Sequence, residues 1–304
     1  MELKQWTYEE FPAFDTPVQG AFVLPTTGDE WRVRYIPNVR YDEVDGTPLT
    51  LQILRPFTRN RPEPVLPCVV FVQGSGWMKQ DVYFQVPALS KLAERGYIVA
   101  IVEYRHSGIA SFPAPIVDAR NAVRFLRSHA GEYGVDPDRM IVAGDSSGGH
   151  TAVFAGLRHN DDTAENHFPG VSAEVKGIVN YYGSCGFTRP DSNPSTPNHN
   201  LPDSPEGLEM GGANLTERPD LVRALSAECN IAPDTDVAPM LILHGTKDRV
   251  VNAWCSVDLY NQLKRCGKDA ELYLLDGADH GGGEFWTDGV LDIVQRFIER
   301  CLAR

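Results

Sequence analysis

The 304 residues are 42% hydrophobic and 23% charged, ordinary proportions for a globular chain that buries a full core in one large or two small domains. With 41 acidic against 28 basic residues the net charge is −13, and no Lys/Arg stripe exists to neutralise phosphates, which argues against nucleic acid and anionic membrane surfaces as partners. The longest apolar runs, CVVFV and YIVAIV, are too short to span a bilayer.

The N-terminal stretch MELKQWTYEEFPAFDTP lacks the basic start and apolar run of a signal peptide, so a cytoplasmic location is expected. Residues 1–30 carry Trp6, Tyr8, Phe11, Phe14 and Phe22, and this aromatic content suggests a segment packed on the body of the protein. WRVRYIPNVRYD and TPLTLQILRP then alternate apolar and polar residues, as half-buried antiparallel strands do. LPCVVFVQ, YIVAIVEY, MIVAG, VKGIVNYYG and PMLILHG are continuous β-branched or aliphatic runs, the pattern of parallel strands buried on both faces. Helical patterns lie between them: VPALSKLAERG, PIVDARNAVRFLRSHAGEYG, SVDLYNQLKRCG and GVLDIVQRFIERCLAR. Strand–helix alternation of this kind specifies a doubly wound α/β sheet with right-handed crossovers, here over residues 31–304. The rhythm breaks at about 185–237, where Pro, Asn, Ser and Asp accumulate. Long insertions inside a compact domain are usually lids or mobile loops, with helix starts expected here at Ser204-Pro205-Glu206 and Thr216-Glu217-Arg218-Pro219. Six scattered cysteines without a CxxC pair are expected to be reduced, buried thiols.

One corner carries chemistry. In MIVAGDSSGGH a buried strand runs into Gly144-Asp145-Ser146-Ser147-Gly148 and on into an apolar helix, which places G-x-S-x-G on the strand-to-helix turn of a nucleophile elbow. A serine needs a base within hydrogen-bond reach and an acid to orient that base. Asp248 follows the strand PMLILHG and His280 follows AELYLLDG, so all three residues emerge at the carboxyl ends of parallel strands, in the order Ser, Asp, His. Asp276 and Asp279 compete for the role of acid, and Ser147 competes as nucleophile without glycines at both offsets. His106, His129, His159, His167 and His199 read as solvated, while His150 and His244 read as packing histidines. The Gly-rich loop Gln73-Gly74-Ser75-Gly76-Trp77 after LPCVVFV can turn backbone N–H groups, with that of Ser147, toward a carbonyl oxygen. Trp77, Tyr181 and Trp286 are candidates for lining the substrate pocket.

These stretches, together with LAERGYIVAIVEYR, SPEGLEMGG and ADHGGG, span Val69 to Gly283. Their set and order resemble the α/β-hydrolase esterases with an HGGG-like loop. The chain is similar to the hormone-sensitive-lipase-like esterases and, more closely, to proteins related to bifunctional feruloyl and acetyl-xylan esterases. The resemblance implies the α/β-hydrolase fold, a mostly parallel sheet of about eight strands with a cap-like insertion, carboxylic ester hydrolysis and no cofactor or metal. It also implies Ser146 as nucleophile, His280 as base and Asp248 as acid, with the N–H groups of Ser75 and Gly76 as oxyanion donors and the SPEGLEMGG region shaping the pocket. Two residues depart from that pattern: Gln73 stands for the family's histidine and Ser75 for its middle glycine. The expected substrates are short-chain or aryl esters, with acetylated or feruloylated sugars among them. The rivals are an arylformamidase-type amide hydrolase and a non-catalytic binding protein on a hydrolase scaffold. The oligomeric state is not readable from the sequence.

Overall fold

Alternation makes β1 (Arg32–Val44) half-buried. It returns through Asp45-Gly46, with φ of 50° and 76°, into β2 (Thr47–Phe57). Positive φ at both central residues is the two-residue hairpin turn whose twist matches its strands. The computed structural model describes residues 3–158, 165–188 and 194–304; His159 and residues 189–193 of the insertion lie outside the described residues.

The apolar runs follow as β3 (Leu66–Val72), α1 (Val86–Ala93), β4 (Ile98–Val102), α2 (Ala114–Ser128), the short α3 (Ala130–Tyr133), β5 (Val135–Asp145) and α4 (Ser146–Ala155). After β6 (Leu157–Arg158) and β7 (Ile178–Tyr181), the insertion contributes α5 (Pro205–Glu209), α6 (Pro219–Leu225) and β8 (Asp236–Val237). The chain closes with β9 (Met240–Gly245), α7 (Trp254–Arg265), β10 (Ala270–Leu275) and α8 (Asp288–Leu302). Both expected helix starts in the insertion are present, with Pro205 opening α5 under a Ser204 cap and Pro219 opening α6.

Eight strands form one sheet in the order β1-β2-β4-β3-β5-β7-β9-β10, while β6 and β8 pair separately. From β4 to β10 every pairing is parallel; β1–β2 and β2–β4 are antiparallel. This is the α/β-hydrolase fold. Period-two alternation sorts the central strands' side chains onto two faces. Val70, Val142, Ile178 and Ile242 pack beneath α2, α4 and α7, while Phe71, Ile141, Val179 and Leu243 pack against α1 and α8. No helix among the described residues is long and apolar enough to cross a membrane. All six cysteines are free thiols, and burial pushes Cys68 and Cys255 up to about 12.

The N-terminal segment departs from its expected packing. Phe14, Phe22 and Val23 are 81%, 93% and 94% exposed, and Trp6 lies against Phe11 of its own segment. Helices already cover both sheet faces, so these aromatics find no apolar surface to enter. Apart from Arg59 standing over the Tyr8 ring, firm contact begins only at residues 27–31, where Asn60 hydrogen-bonds the backbone of Thr27 and Gly28 and Arg61 stacks over Trp31.

Leu243 is wholly buried in the strand that leads toward Asp248. Leu243→Ala is expected to lower unfolding stability by about 2–5 kcal/mol through lost transfer energy and residual cavity, read from urea titrations.

Candidate active site

β5 ends in extended backbone at Asp145, and the next residue, Ser146, sits at φ +53° as the first residue of α4. A non-glycine residue there costs on the order of 1–3 kcal/mol and persists only where its surroundings over-determine it. They do so by close approach. A Cβ on Gly144 would collide with the Gly148 carbonyl, and one on Gly148 would collide with the Val72 carbonyl of β3. The glycines let strand and helix meet tightly enough to push the Ser146 side chain out at the carboxyl edge of the sheet.

There the structure brings together the three residues singled out in the sequence. Ser146 Oγ lies 2.8 Å from His280 Nε2, and His280 Nδ1 lies 2.7 Å from Asp248 Oδ2. With the Nδ1 proton donated to the carboxylate, Nε2 is left to accept from the serine hydroxyl. The other Asp248 oxygen accepts from the backbone N–H groups of Val250 and Val251 at 2.9 and 2.8 Å, and His244 Nε2 stands 3.2 Å from Oδ2. Burial works against charge on Asp248, but the hydrogen bonds from His244 and His280 outweigh it and hold the carboxyl well below the usual carboxylate range. The competing acids are engaged elsewhere. Asp279 accepts from Arg249 Nε at 2.7 Å and from the His280 backbone N–H at 2.8 Å, while Asp276 is 3.4 Å from the Thr246 hydroxyl. His244 is buried between Ser256 Oγ at 2.7 Å and the Val251 carbonyl at 2.8 Å, a satisfied structural histidine that also supports Asp248.

The Gly-rich loop differs in one respect from its expected arrangement. The Ser75 N–H donates to Ser147 Oγ at 2.9 Å, so it is engaged within the protein and not presented as an oxyanion donor. The Gly76 and Ser147 N–H groups have no partner among the described residues, and both residues line the cavity in front of Ser146. The Ser75 hydroxyl turns back to the Met78 carbonyl at 2.6 Å and lies 3.2 Å from Tyr104 Oη, which holds it within its own loop. Gln73 donates to the Asp81 carbonyl, bracing the loop.

Asp145 went unnoticed in the sequence. Its buried carboxylate accepts from the Gly74 N–H at 2.8 Å, from Gln85 Nε2 at 3.1 Å and from Tyr182 Oη at 3.4 Å, fastening the Gly-rich loop to the elbow. Burial pushes its pKa up against those hydrogen bonds. Only its place inside G-x-S-x-G marked it, because its partners come from three distant parts of the chain.

A cavity of about 660 Å³ lies over these residues. Of the three aromatic candidates, Trp77 and Trp286 line it and Tyr181 does not. Tyr181 is buried behind the cavity wall, stacked on Trp286 at 5.1 Å and against Phe71, and it is Tyr182, at φ +40°, that lines the cavity beside His280. His199 is also corrected: it is no solvated loop residue but lines the cavity, its Nδ1 2.9 Å from Glu206 Oε1 and its Nε2 2.8 Å from the Val250 carbonyl. Burial disfavours its charge, yet the Glu206 carboxylate and the Val250 carbonyl raise its pKa overall. His150 fastens the insertion from below. Its Nε2–H donates to the Leu225 carbonyl at 2.9 Å, its ring stands edge-on to Trp77, and burial pushes it down to about 4, so it is neutral at pH 7. Of the histidines read as solvated, His129 stacks on Phe125 and His167 pairs with Asp42.

A BD-FAE family model matches residues 51–263. The chain belongs to the BD-FAE family. Among curated relatives, the probable carboxylic ester hydrolase LipM of Mycobacterium tuberculosis is 28% identical over 68% of this chain and 47% of its own length. The esterase LipC of the same organism is 27% identical over 84% of this chain and 62% of its own. The chain thus spans about half to three fifths of those relatives. A truncated carbohydrate esterase from gut microbiota superposes with a TM-score of 0.76 over 91% of this chain and 99% of that one, at 22% identity, sharing the fold.

Buried Glu209, at the end of α5 in this BD-FAE chain, accepts a hydrogen bond from Ser107 Oγ at 2.9 Å, and burial pushes it up from 4.5 to about 8. Between those values the unfolded chain releases the proton that the folded state keeps, so this group's contribution to stability falls as pH rises. Glu209→Gln is therefore expected to gain stability on wild type progressively from pH 4.5 to about 8 and to hold that margin above, measured by urea denaturation across pH.

Proposed function

We propose that the chain is a serine carboxylesterase acting on short-chain or aryl carboxylic esters through an acyl-enzyme, with acetylated or feruloylated sugars as its natural substrates. The observation that carries this reading is the unbroken hydrogen-bonded line Ser146–His280–Asp248, at 2.8 and 2.7 Å, opening into a cavity of about 660 Å³. The names of LipM and LipC support ester hydrolysis, and that of the gut carbohydrate esterase supports a sugar ester.

In this reading His280 takes the Ser146 proton as Oγ adds to the ester carbonyl. The oxyanion is received by the N–H groups of Gly76 and Ser147, at the positive N-terminal end of α4. Asp248, charged throughout the neutral range, stabilises the imidazolium that forms and keeps Nδ1 protonated. His280 then returns the proton to the leaving alcohol, the acyl group stays on Ser146, and water activated by the same imidazole releases the acid. Trp77, Phe84 and Trp286 supply apolar wall for the acyl group.

Hydrolysis of 4-nitrophenyl esters from acetate to octanoate, followed by stopped flow, tests the reading. Wild type is expected to release a burst of nitrophenol with short acyl chains, and Ser146→Ala none; a burst that survives in the variant overturns Ser146 as nucleophile. Asp248→Asn is expected to fold normally and lose on the order of 10⁴ in kcat, because Nδ1 then faces an amide that no longer selects the reactive tautomer. Faster turnover of formyl-kynurenine than of any ester would make the enzyme an amide hydrolase instead.

A further inference from the structure

His199 and Glu206 form a histidine–carboxyl pair at the wall of the catalytic cavity that the ester chemistry above does not use. Glu206, on α5, is 2% exposed. Its Oε1 lies 2.9 Å from His199 Nδ1, and its Oε2 is buried without a partner among the described residues. The side-chain hold on this buried carboxyl therefore passes through His199. The other ring nitrogen, Nε2, lies 2.8 Å from the Val250 carbonyl. That carbonyl shares its peptide plane with the Val251 N–H, which donates to Asp248 Oδ1 at 2.8 Å. Glu206, His199 and one rigid peptide thus make a line that ends on the carboxylate bonded to His280.

Counting protons along this line shows what it requires. An ionised carboxyl and a carbonyl oxygen only accept, so each contact of the ring needs a proton, and a neutral imidazole carries one. Ser195 Oγ does not remove the need. It lies 2.9 Å from Nε2 and 2.8 Å from the Val250 carbonyl, and whichever its single hydrogen serves, the approach of Nε2 to that carbonyl still needs a proton of its own. The pair therefore holds one proton more than neutral His199 beside ionised Glu206. The ionisable groups facing the ring are Glu206 on α5, Asp248 on the loop after β9 and His280 across the cavity. Burial opposes charge on the ring, but Glu206, the Val250 carbonyl and Asp248 outweigh it and raise its pKa. The extra proton is kept below that raised pKa and lost as pH rises through it, and one of the two contacts goes with it. A carbonyl that receives a hydrogen bond polarises the N–H across the same peptide, which here strengthens the Val251 N–H as donor to Asp248.

We propose that His199, braced by Glu206, is a positioning residue for Asp248: through the Val250–Val251 peptide it sets that carboxylate against His280 Nδ1, and it couples the alignment to the seating of α5 and to one bound proton. The ring makes no hydrogen bond to Ser146 or His280 among the described residues, so it acts through Asp248. The proposal rests on the esterase reading above for its place in the reaction.

Two readouts test it, one of them independent of turnover. The His280 Nδ1 proton that bridges to Asp248 gives a far-downfield NMR resonance, followed against pH in wild type, His199→Leu, His199→Gln and Glu206→Gln. Over the same range kcat and KM are measured for 4-nitrophenyl acetate, and the urea midpoint of each variant is checked first. In His199→Leu the resonance is expected to move upfield or broaden, with kcat about tenfold lower, the loss of roughly one hydrogen bond, and KM within about twofold. His199→Gln keeps a donor to the Val250 carbonyl that does not titrate. It is expected to recover kcat to within about threefold and to lose the alkaline fall that wild type shows as the extra proton leaves. Glu206→Gln is expected to move that fall to lower pH, because the carboxyl no longer supports the proton. An unaltered resonance with an unaltered kcat in His199→Leu overturns the proposal, and so does an alkaline fall that His199→Gln retains; the second criterion decides if the leucine variant loses stability. Absence of ester turnover in wild type overturns the esterase reading, while the resonance still decides whether His199 positions Asp248.

Discussion

Everything in this site hangs on the close approach of β5 to α4. Without side chains at Gly144 and Gly148 the strand can meet the helix at backbone distance, and Ser146 is held at a positive φ that its own chemistry disfavours. That strained corner sets the serine's direction, places α4's first N–H groups beside it, and leaves the preceding Asp145 buried. The buried carboxylate in turn needs donors, and it finds them in the Gly74 N–H and in the Gln85 and Tyr182 side chains. A penalty of burial becomes the tie that docks the Gly-rich loop against the corner that carries Ser146.

The same logic holds the insertion. A segment rich in Pro, Asn and Ser has little apolar surface of its own, so it is fastened by a few polar anchors. His150 reaches up from α4 to the Leu225 carbonyl, and His199, hydrogen-bonded to Glu206 and to the Val250 carbonyl, joins α5 to the loop that carries Asp248. The pocket wall and the acid that orients His280 thereby share one hydrogen-bonded frame. The two serines in the Gly-rich loop and the elbow form a second local frame. Ser147 Oγ holds the Ser75 N–H, leaving Gly76 and Ser147 itself to present free N–H groups to the cavity. The Ser75 hydroxyl is itself held on the Met78 carbonyl, inside the loop.

Periodicity and local pattern were enough to read the α/β sheet, its buried parallel strands, the helix starts at Pro205 and Pro219, and the elbow itself, because each depends on residues adjacent in the chain. Asp248 and His280 were also legible, since a loop after a buried parallel strand can only emerge at the carboxyl edge of the sheet. What lay beyond sequence reasoning depends on which distant groups meet. Tyr181 and Tyr182 are neighbours in the chain and share one buried cluster, yet the backbone turn at Tyr182 sets only the second against the cavity beside His280. His199 has the composition of a solvated loop and acquires its role only from Glu206 and Val250. The aromatic N-terminal segment has the composition of a packed element, but two helical layers had already closed the surface it would have needed. The sequence by itself determined the strands, the strained serine and the order of the triad. The tertiary structure alone decided which side chains meet around Ser146, from the Ser75–Ser147 contact to the pairing of His199 with Glu206, because those depend on contacts made across the fold.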